Sequence, residues 1–230
     1  AVAGRDFIEV WTLGTGDFDG ALPISGESTV RHIAFGSGTT LFVAGRDSIS
    51  TWNVATATRV RSLAPDPYDT PGFAVSSDGT SVMIASQRRI LRRSLPDLEL
   101  VSDFLVPPNA VAGWTEVATS ADGAVVAAGA STGEIVWWDV GTGLPLGDPI
   151  RPHEQIGDEP PVVLFATSGT TLATYPSAFP GPARLWDLDV LALIDRACTR
   201  ANRNLTQDEW TRCLPGVPYR PTCPEFSPGR

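Results

Sequence analysis

Residues Ser120–Gly143 read SADGAVVAAGASTGEIVWWDVGTG, and the order of apolar runs and turn residues in this stretch decides the fold. Val125–Gly129 and Ile135–Val140 are apolar runs of strand length, too short for helices of ordinary size. Asp122-Gly123, just before the first run, is a hairpin turn in which glycine takes a positive φ at little cost. The second run closes on Trp138-Asp139. Trp11-Thr12, Trp52-Asn53 and Trp186-Asp187 close similar runs, at steps of 41, 86 and 48 residues. The register skipped inside the long step falls at Arg92-Arg93, so Arg92 is read as standing in for the missing Trp. Self-similarity at this period marks a repeat architecture, in which each unit buries its apolar faces against its neighbours.

Outward from this stretch the units can be laid out by alternation and turn residues. One comprises His32–Phe35, Thr40–Gly45, Ile49–Val54 and an outer strand Thr58–Leu63, with turns at Gly36–Gly38 and Arg46-Asp47. The next comprises Phe73–Val75, Ser81–Ala85, Ile90–Leu95 and Glu99–Phe104, with a turn at Ser76–Gly79. A third comprises Thr115–Thr119, Val125–Gly129, Ile135–Val140 and an outer strand near Leu146–Ile150. The last offers Val162–Ala166, Thr171–Tyr175 and Ala183–Leu188, without an outer strand. Residues 1–13 supply only the second and third strands of a unit, which makes a partial first unit over 1–28. Each unit is a four-stranded antiparallel meander, and small residues such as Ala127, Ala128 and Gly129 suit close packing between neighbouring sheets.

After Leu188 the period changes to that of a helix. Val190, Leu191, Ile194, Ala197, Cys198 and Ala201 fall on one face, with Asp189, Asp195, Arg196 and Arg200 opposite. Thr206-Gln207-Asp208-Glu209 is a capping box that opens a second short helix through Trp210. Pro215, Pro218, Pro221 and Pro224 forbid further helix.

The segments FGSGTTLFVAGRDSISTWNV, SADGAVVAAGASTGEIVWWDVGTG and ARLWDL resemble the WD-repeat family of β-propellers, over residues 1 to about 188. The resemblance implies an all-β propeller of about four and a half visible blades, part of a larger ring. It also implies stiffening groups, an Asp in the turn before the Trp strand and a His leading into the innermost strand. Asp6 and Asp47 match the first, five residues before Trp11 and Trp52, and His153 matches the second. Arg92, Thr12 and the lack of an Asp before Trp138 depart from the pattern.

The tail, ALIDRACTRANRNLTQDEWTRCLPGVPYRPTCP, is similar to the ending of many bacterial WD-repeat proteins. The matching elements are Ala197-Cys198, Leu205–Trp210 and Tyr219–Pro224. That resemblance implies the C-terminal part of a multidomain signalling protein, often one with a STAND-type NTPase. Residues 189–230 are then a helical tail packing on the last blade, anchored by Trp210 and Tyr219.

Bulk properties narrow the chemistry. The 230 residues carry a net charge of −9, which argues against nucleic acid or an anionic membrane as a partner. All 17 basic residues are Arg, a mark of GC-rich coding in keeping with a bacterial source. The run Gln87–Arg93 holds four arginines, read as solvent-facing alternate residues of one strand. No apolar stretch reaches the length of a membrane helix. No phosphate loop is present, and without lysine none can form. Two histidines, His32 and His153, give little material for a triad or a metal site. His153 lies beside Glu154, Asp158 and Glu159 in what reads as a solvated loop. Cys198, Cys213 and Cys223 lack metal-ligand spacing; buried thiols are expected, with a Cys198–Cys223 bridge left open.

We therefore expect a non-catalytic interaction or sensing propeller in the cytoplasm, with no catalytic, cofactor or metal residues to name. Its partners would be a protein or peptide on one rim, reached by loops 14–28, 64–72, 105–113 or 151–161, and upstream domains of the same chain. The alternatives are a secreted or periplasmic ligand-binding propeller, which a Cys198–Cys223 disulfide would favour, and less so a propeller hydrolase.

Overall fold

A computed structural model describes residues 2–3, 7–12, 14–24, 30–45, 48–64, 72–85, 89–107, 110, 113–152, 161–165, 170–176, 181–213, 216, 218–223 and 225–226. Asp6, Asp47 and His153, on which the family's stiffening groups were expected, lie outside these residues, as do Glu154, Asp158 and Glu159. The chain is mostly β and divides into two compact units, Ala1–Leu185 and Trp186–Arg230.

Among the described residues, seventeen strands form five antiparallel sheets. The first holds β1 (Val2–Ala3), β2 (Phe7–Trp11) and β3 (Phe18–Pro23). The second holds β4 (Val30–Phe35), β5 (Thr40–Gly45), β6 (Ile49–Asn53) and β7 (Thr58–Leu63). The third holds β8 (Phe73–Val75), β9 (Ser81–Ala85), β10 (Ile90–Ser94) and β11 (Leu100–Phe104). The fourth holds β12 (Trp114–Thr119), β13 (Val125–Ala130) and β14 (Ile135–Asp139). The fifth holds β15 (Pro161–Phe165), β16 (Thr171–Pro176) and β17 (Arg184–Asp187). In each sheet the strands follow one another in chain order, as meanders do.

Two expectations are corrected. The stretch read as an open loop at 14–28 contains β3. The outer strand expected near Leu146–Ile150 is absent, and only bridges from Ile135 to Ile150 and from Trp138 to Pro145 remain. Pro145 and Pro149 cannot donate to a ladder, and Gly147 at φ +153° bends the chain away.

The first four sheets share one register. Ile8 stands opposite Leu22, Ile49 opposite Leu63, Ile90 opposite Phe104, and Ile135 is bridged to Ile150. Three residues further on, Trp11 meets Phe18, Trp52 meets Arg59, Arg93 meets Leu100, and Trp138 meets Pro145. Opposite the step into this position the outer strand carries one extra residue, Asp19 in β3, Val60 in β7 and Val101 in β11. The residue in place of the missing Trp is thus Arg93, and the assignment to Arg92 was one residue early. The residue after it is always short and polar, and it ties the following turn. Asn53 Oδ1 accepts from the N–H groups of Ala55 and Thr56, Asp139 Oδ1 from that of Thr142, and Ser94 Oγ from that of Glu99. Such side-chain turns are what Asx and Ser residues supply.

Within the first unit the sheets pack in series. Ile8 and Leu22 of the first meet Leu41, Val43 and Trp52 of the second. Phe42, Ala44 and Ile49 of the second meet Val82 and Ile84 of the third. Met83, Ala85, Ile90 and Phe104 of the third meet Val126, Ala128 and Trp138 of the fourth. At these three interfaces the Ile side of one sheet therefore faces the Trp side of the next. Close approach depends on Gly72: a Cβ there would lie 2.5 Å from the Thr115 carbonyl and 2.8 Å from Glu116 Cα.

In the second unit α1 (Val190–Ala201) and α2 (Gln207–Cys213) lie where the periodicity and capping box place them. The Thr206 N–H donates to Glu209 Oε2 at 2.9 Å, and the Glu209 N–H donates back to Thr206 Oγ1 at 3.2 Å. Ala197 and Ala201, expected on the apolar face of α1, are exposed, whereas Cys198 is buried.

Candidate functional site

The turns before β9 and β13 are built alike. Ser76 Oγ donates to Asp78 Oδ1 at 2.6 Å and accepts from the Ser81 N–H, while the Thr80 N–H donates to Asp78 Oδ1. Ser120, Asp122, Ala124 and Val125 repeat this pattern. Gly79, at φ +67°, keeps its backbone close enough for its carbonyl to accept from the Ser37 N–H of the neighbouring sheet at 2.8 Å. These are the turns that Asp78-Gly79 and Asp122-Gly123 predicted.

The two turns also line a cleft of about 450 Å³ between the third and fourth sheets, to which Met83 of β9 contributes. Asp78 and Asp122 line it, together with Asp139 from the end of β14 and Arg92 from β10. Hydrogen bonds from Ser76, Ser120 and Thr142 hold the three carboxyls below the usual range, so all are anionic at neutral pH. Arg92 Nε donates to Ser81 Oγ at 3.1 Å, which orients the single cation of the cleft. The lining is net negative. Because each turn was legible only as a turn, sequence reasoning missed that two of them, with Asp139, face one space.

Other candidates separate. In the arginine run, Arg89 pairs with Asp103 at 3.5 Å and Arg93 donates to the Leu98 carbonyl at 2.7 Å. Arg92 and Arg93 are half-buried and serve their own sheet instead of forming a basic surface. Glu134, 5% exposed, pairs with Arg151 at 2.7 Å, and nothing in the local sequence singled it out. On the inner strands His32 and Glu116 occupy matching positions, each after a register shift, and burial pushes the Glu116 carboxyl up. Gly72, just before β8, and Val162 of β15 hold the same place, so among the described residues no series of carboxylates stands there.

In the tail, Cys198 and Cys223 form a disulfide, which replaces the expected free thiols. Cys213 carries no described side-chain environment. Asn204 explains the pairing, because it holds the terminal segment against the first helix. Its Oδ1 accepts from the N–H groups of Thr222 and Cys223, and its Nδ2 donates to the carbonyls of Cys223 and Phe226. The side chain thus makes four hydrogen bonds while almost wholly buried. Trp210 is buried edge-on to Tyr219 at 5.5 Å, and the Tyr219 hydroxyl donates to the Leu205 carbonyl. Both contacts lie within the tail. No helix among the described residues is long and apolar enough to cross a membrane.

No known protein-family model matches the chain, and no curated protein is similar enough to count as a relative.

Proposed function

We propose that the first unit is part of a WD-repeat-like β-propeller acting as a non-catalytic interaction or sensing platform. Its cleft between the third and fourth sheets receives a basic side chain of a protein or peptide partner. The observation that carries this reading is the convergence of Asp78, Asp122 and Asp139 on that cleft, each ionised through bonds within its own turn. Carboxyls held low are poor proton donors at neutral pH, since a general acid or base works best with a pKa near the working pH. They are well suited to charge-assisted recognition of a guanidinium or ammonium group. The shared register of the sheets supports the propeller part of the reading.

The test is a synthetic peptide array probed with the 230-residue chain and with Ala124→Arg, which places a cation in the cleft from an exposed position. Binders enriched in Arg or Lys and lost in the variant are expected. Binders without such enrichment, or unaffected by the variant, would refute the site.

The Cys198–Cys223 disulfide favours a second reading for location: the platform works in an oxidising compartment, as a secreted or periplasmic ligand-binding propeller would. Acid-quenched alkylation of the protein from its native cell decides this. Two unreactive cysteines support it, and three reactive ones restore the cytoplasmic expectation.

A further inference from the structure

The residue just before the Trp position is Val10 in β2, Thr51 in β6, Arg92 in β10 and Trp137 in β14. Val10 is buried among the apolar residues between the first two sheets. Thr51 is wholly buried, and its Oγ1 donates to the Pro96 carbonyl, in the turn after β10, at 2.6 Å. Arg92 instead puts a charge at this place. Its ladder partner Met83 packs toward the fourth sheet, so Arg92 stands on the side that meets that sheet. The turns differ in the same sense. A Cβ on Gly79 would run into the Ser37 backbone of the second sheet, whereas one on Gly123, which lines the cleft, meets nothing within 4 Å.

The two sides of the cleft are unlike in charge. The third sheet brings Asp78 and Arg92, one of each sign, and the fourth brings Asp122 and Asp139, both negative. Among the described residues the three carboxylates are not close enough together to share a metal ion. Arg92 spends its Nε on Ser81 Oγ, and its terminal nitrogens have no hydrogen-bond partner among the described residues. A guanidinium fork of this kind is matched by a carboxylate.

We propose that the cleft takes a dipolar group, a basic side chain held by Asp122 and Asp139 together with a carboxylate held by Arg92. This rests on the interaction platform proposed for the cleft. It narrows the partner to a peptide whose basic residue has a carboxylate beside it, from a free C-terminus or an acidic side chain.

The probes are fluorescent peptides on one Gly-Ser scaffold: one ending in Arg as the free acid, the same peptide as its amide, and an amide ending in Arg-Asp. Binding to the 230-residue chain is followed by fluorescence anisotropy. The free acid or the Arg-Asp amide should bind about tenfold tighter than the plain amide. Which of them does so tells a C-terminus from an acidic side chain. Asp122→Asn, which keeps the acceptor that the turn needs, should weaken all of the peptides. Arg92→Gln should weaken the carboxylate-bearing peptide while the plain amide binds tighter, because a positive charge has left the cleft. A misfolded variant would not give these opposite responses. Equal binding of the plain amide and both others to the unaltered chain would overturn the inference and leave the platform standing. Binding of no peptide, or binding indifferent to Asp122→Asn, would overturn the platform and the inference with it.

Discussion

The two compact units are held by different means. In the first, stability is spread over repeated apolar contacts between sheets, and no cysteine takes part. In the second, 45 residues rest on a disulfide, one buried asparagine, a capping box and an aromatic pair. The contrast follows from size, because a segment this short cannot bury enough apolar surface to fold on hydrophobic contacts alone. Repetition supplies burial to the sheets, whereas the tail depends on a few specific bonds.

The largest expected effect breaks the contrast on the sheet side. Trp138→Ala removes a fully buried ring packed edge-on against Trp114 and should cost about 3–5 kcal/mol of unfolding free energy. Trp11→Ala, at the same register position but 42% exposed, should cost far less. Denaturant titration of both variants measures the difference. Equal losses would mean that the two positions are not related as the register implies.

Next in size is the bridge. Cys198→Ala with Cys223→Ala should remove about 2–4 kcal/mol from the tail, the usual worth of a link closing a loop of this order. Limited proteolysis should then cut near 202–226 while the strands resist. Cleavage throughout the strands would show that the two units do not divide their stability in this way.

The smallest effects sharpen the picture of α2. Thr206→Ala removes a cap and should cost about 1 kcal/mol. Arg203 donates to both carboxylate oxygens of Glu209, at 2.7 and 2.8 Å, and these bonds help bring its pKa from 4.5 to about 2. A carboxyl depressed on folding stabilises the fold above its ordinary pKa, and that contribution fades as pH falls from 4.5 towards 2. Helicity of the tail followed by circular dichroism should decline over this range, and the decline should be absent in Glu209→Gln.

The strands were legible because their cores alternate and their turns carry Asp-Gly. Of the strands of the second and third sheets, only β4 began more than one residue from where these signals put it. β3 was missed because Gly20 and Pro23 disguise a strand as a loop. Arg93 was misplaced because the repeats are unequal, 41 residues from Trp52 to Arg93 and 45 from Arg93 to Trp138, so spacing alone does not fix the position. Contacts between distant segments were not legible at all. Asn204 looks like any loop asparagine until Thr222–Phe226 folds over it, and the disulfide could not be chosen over free thiols from spacing. The cleft belongs to the same class, since Asp78, Asp122 and Asp139 come together only when two sheets stack.

The repeat register underlies the proposed platform. Native-state hydrogen exchange, read peptide by peptide, tests it most directly. We predict the strongest protection at β5, β9 and β13, each paired on both sides within its sheet and buried along nearly its whole length, and unchanged when reductant opens the tail. Uniformly weak protection from Leu41 to Ala130, or its loss on reduction, would contradict the account.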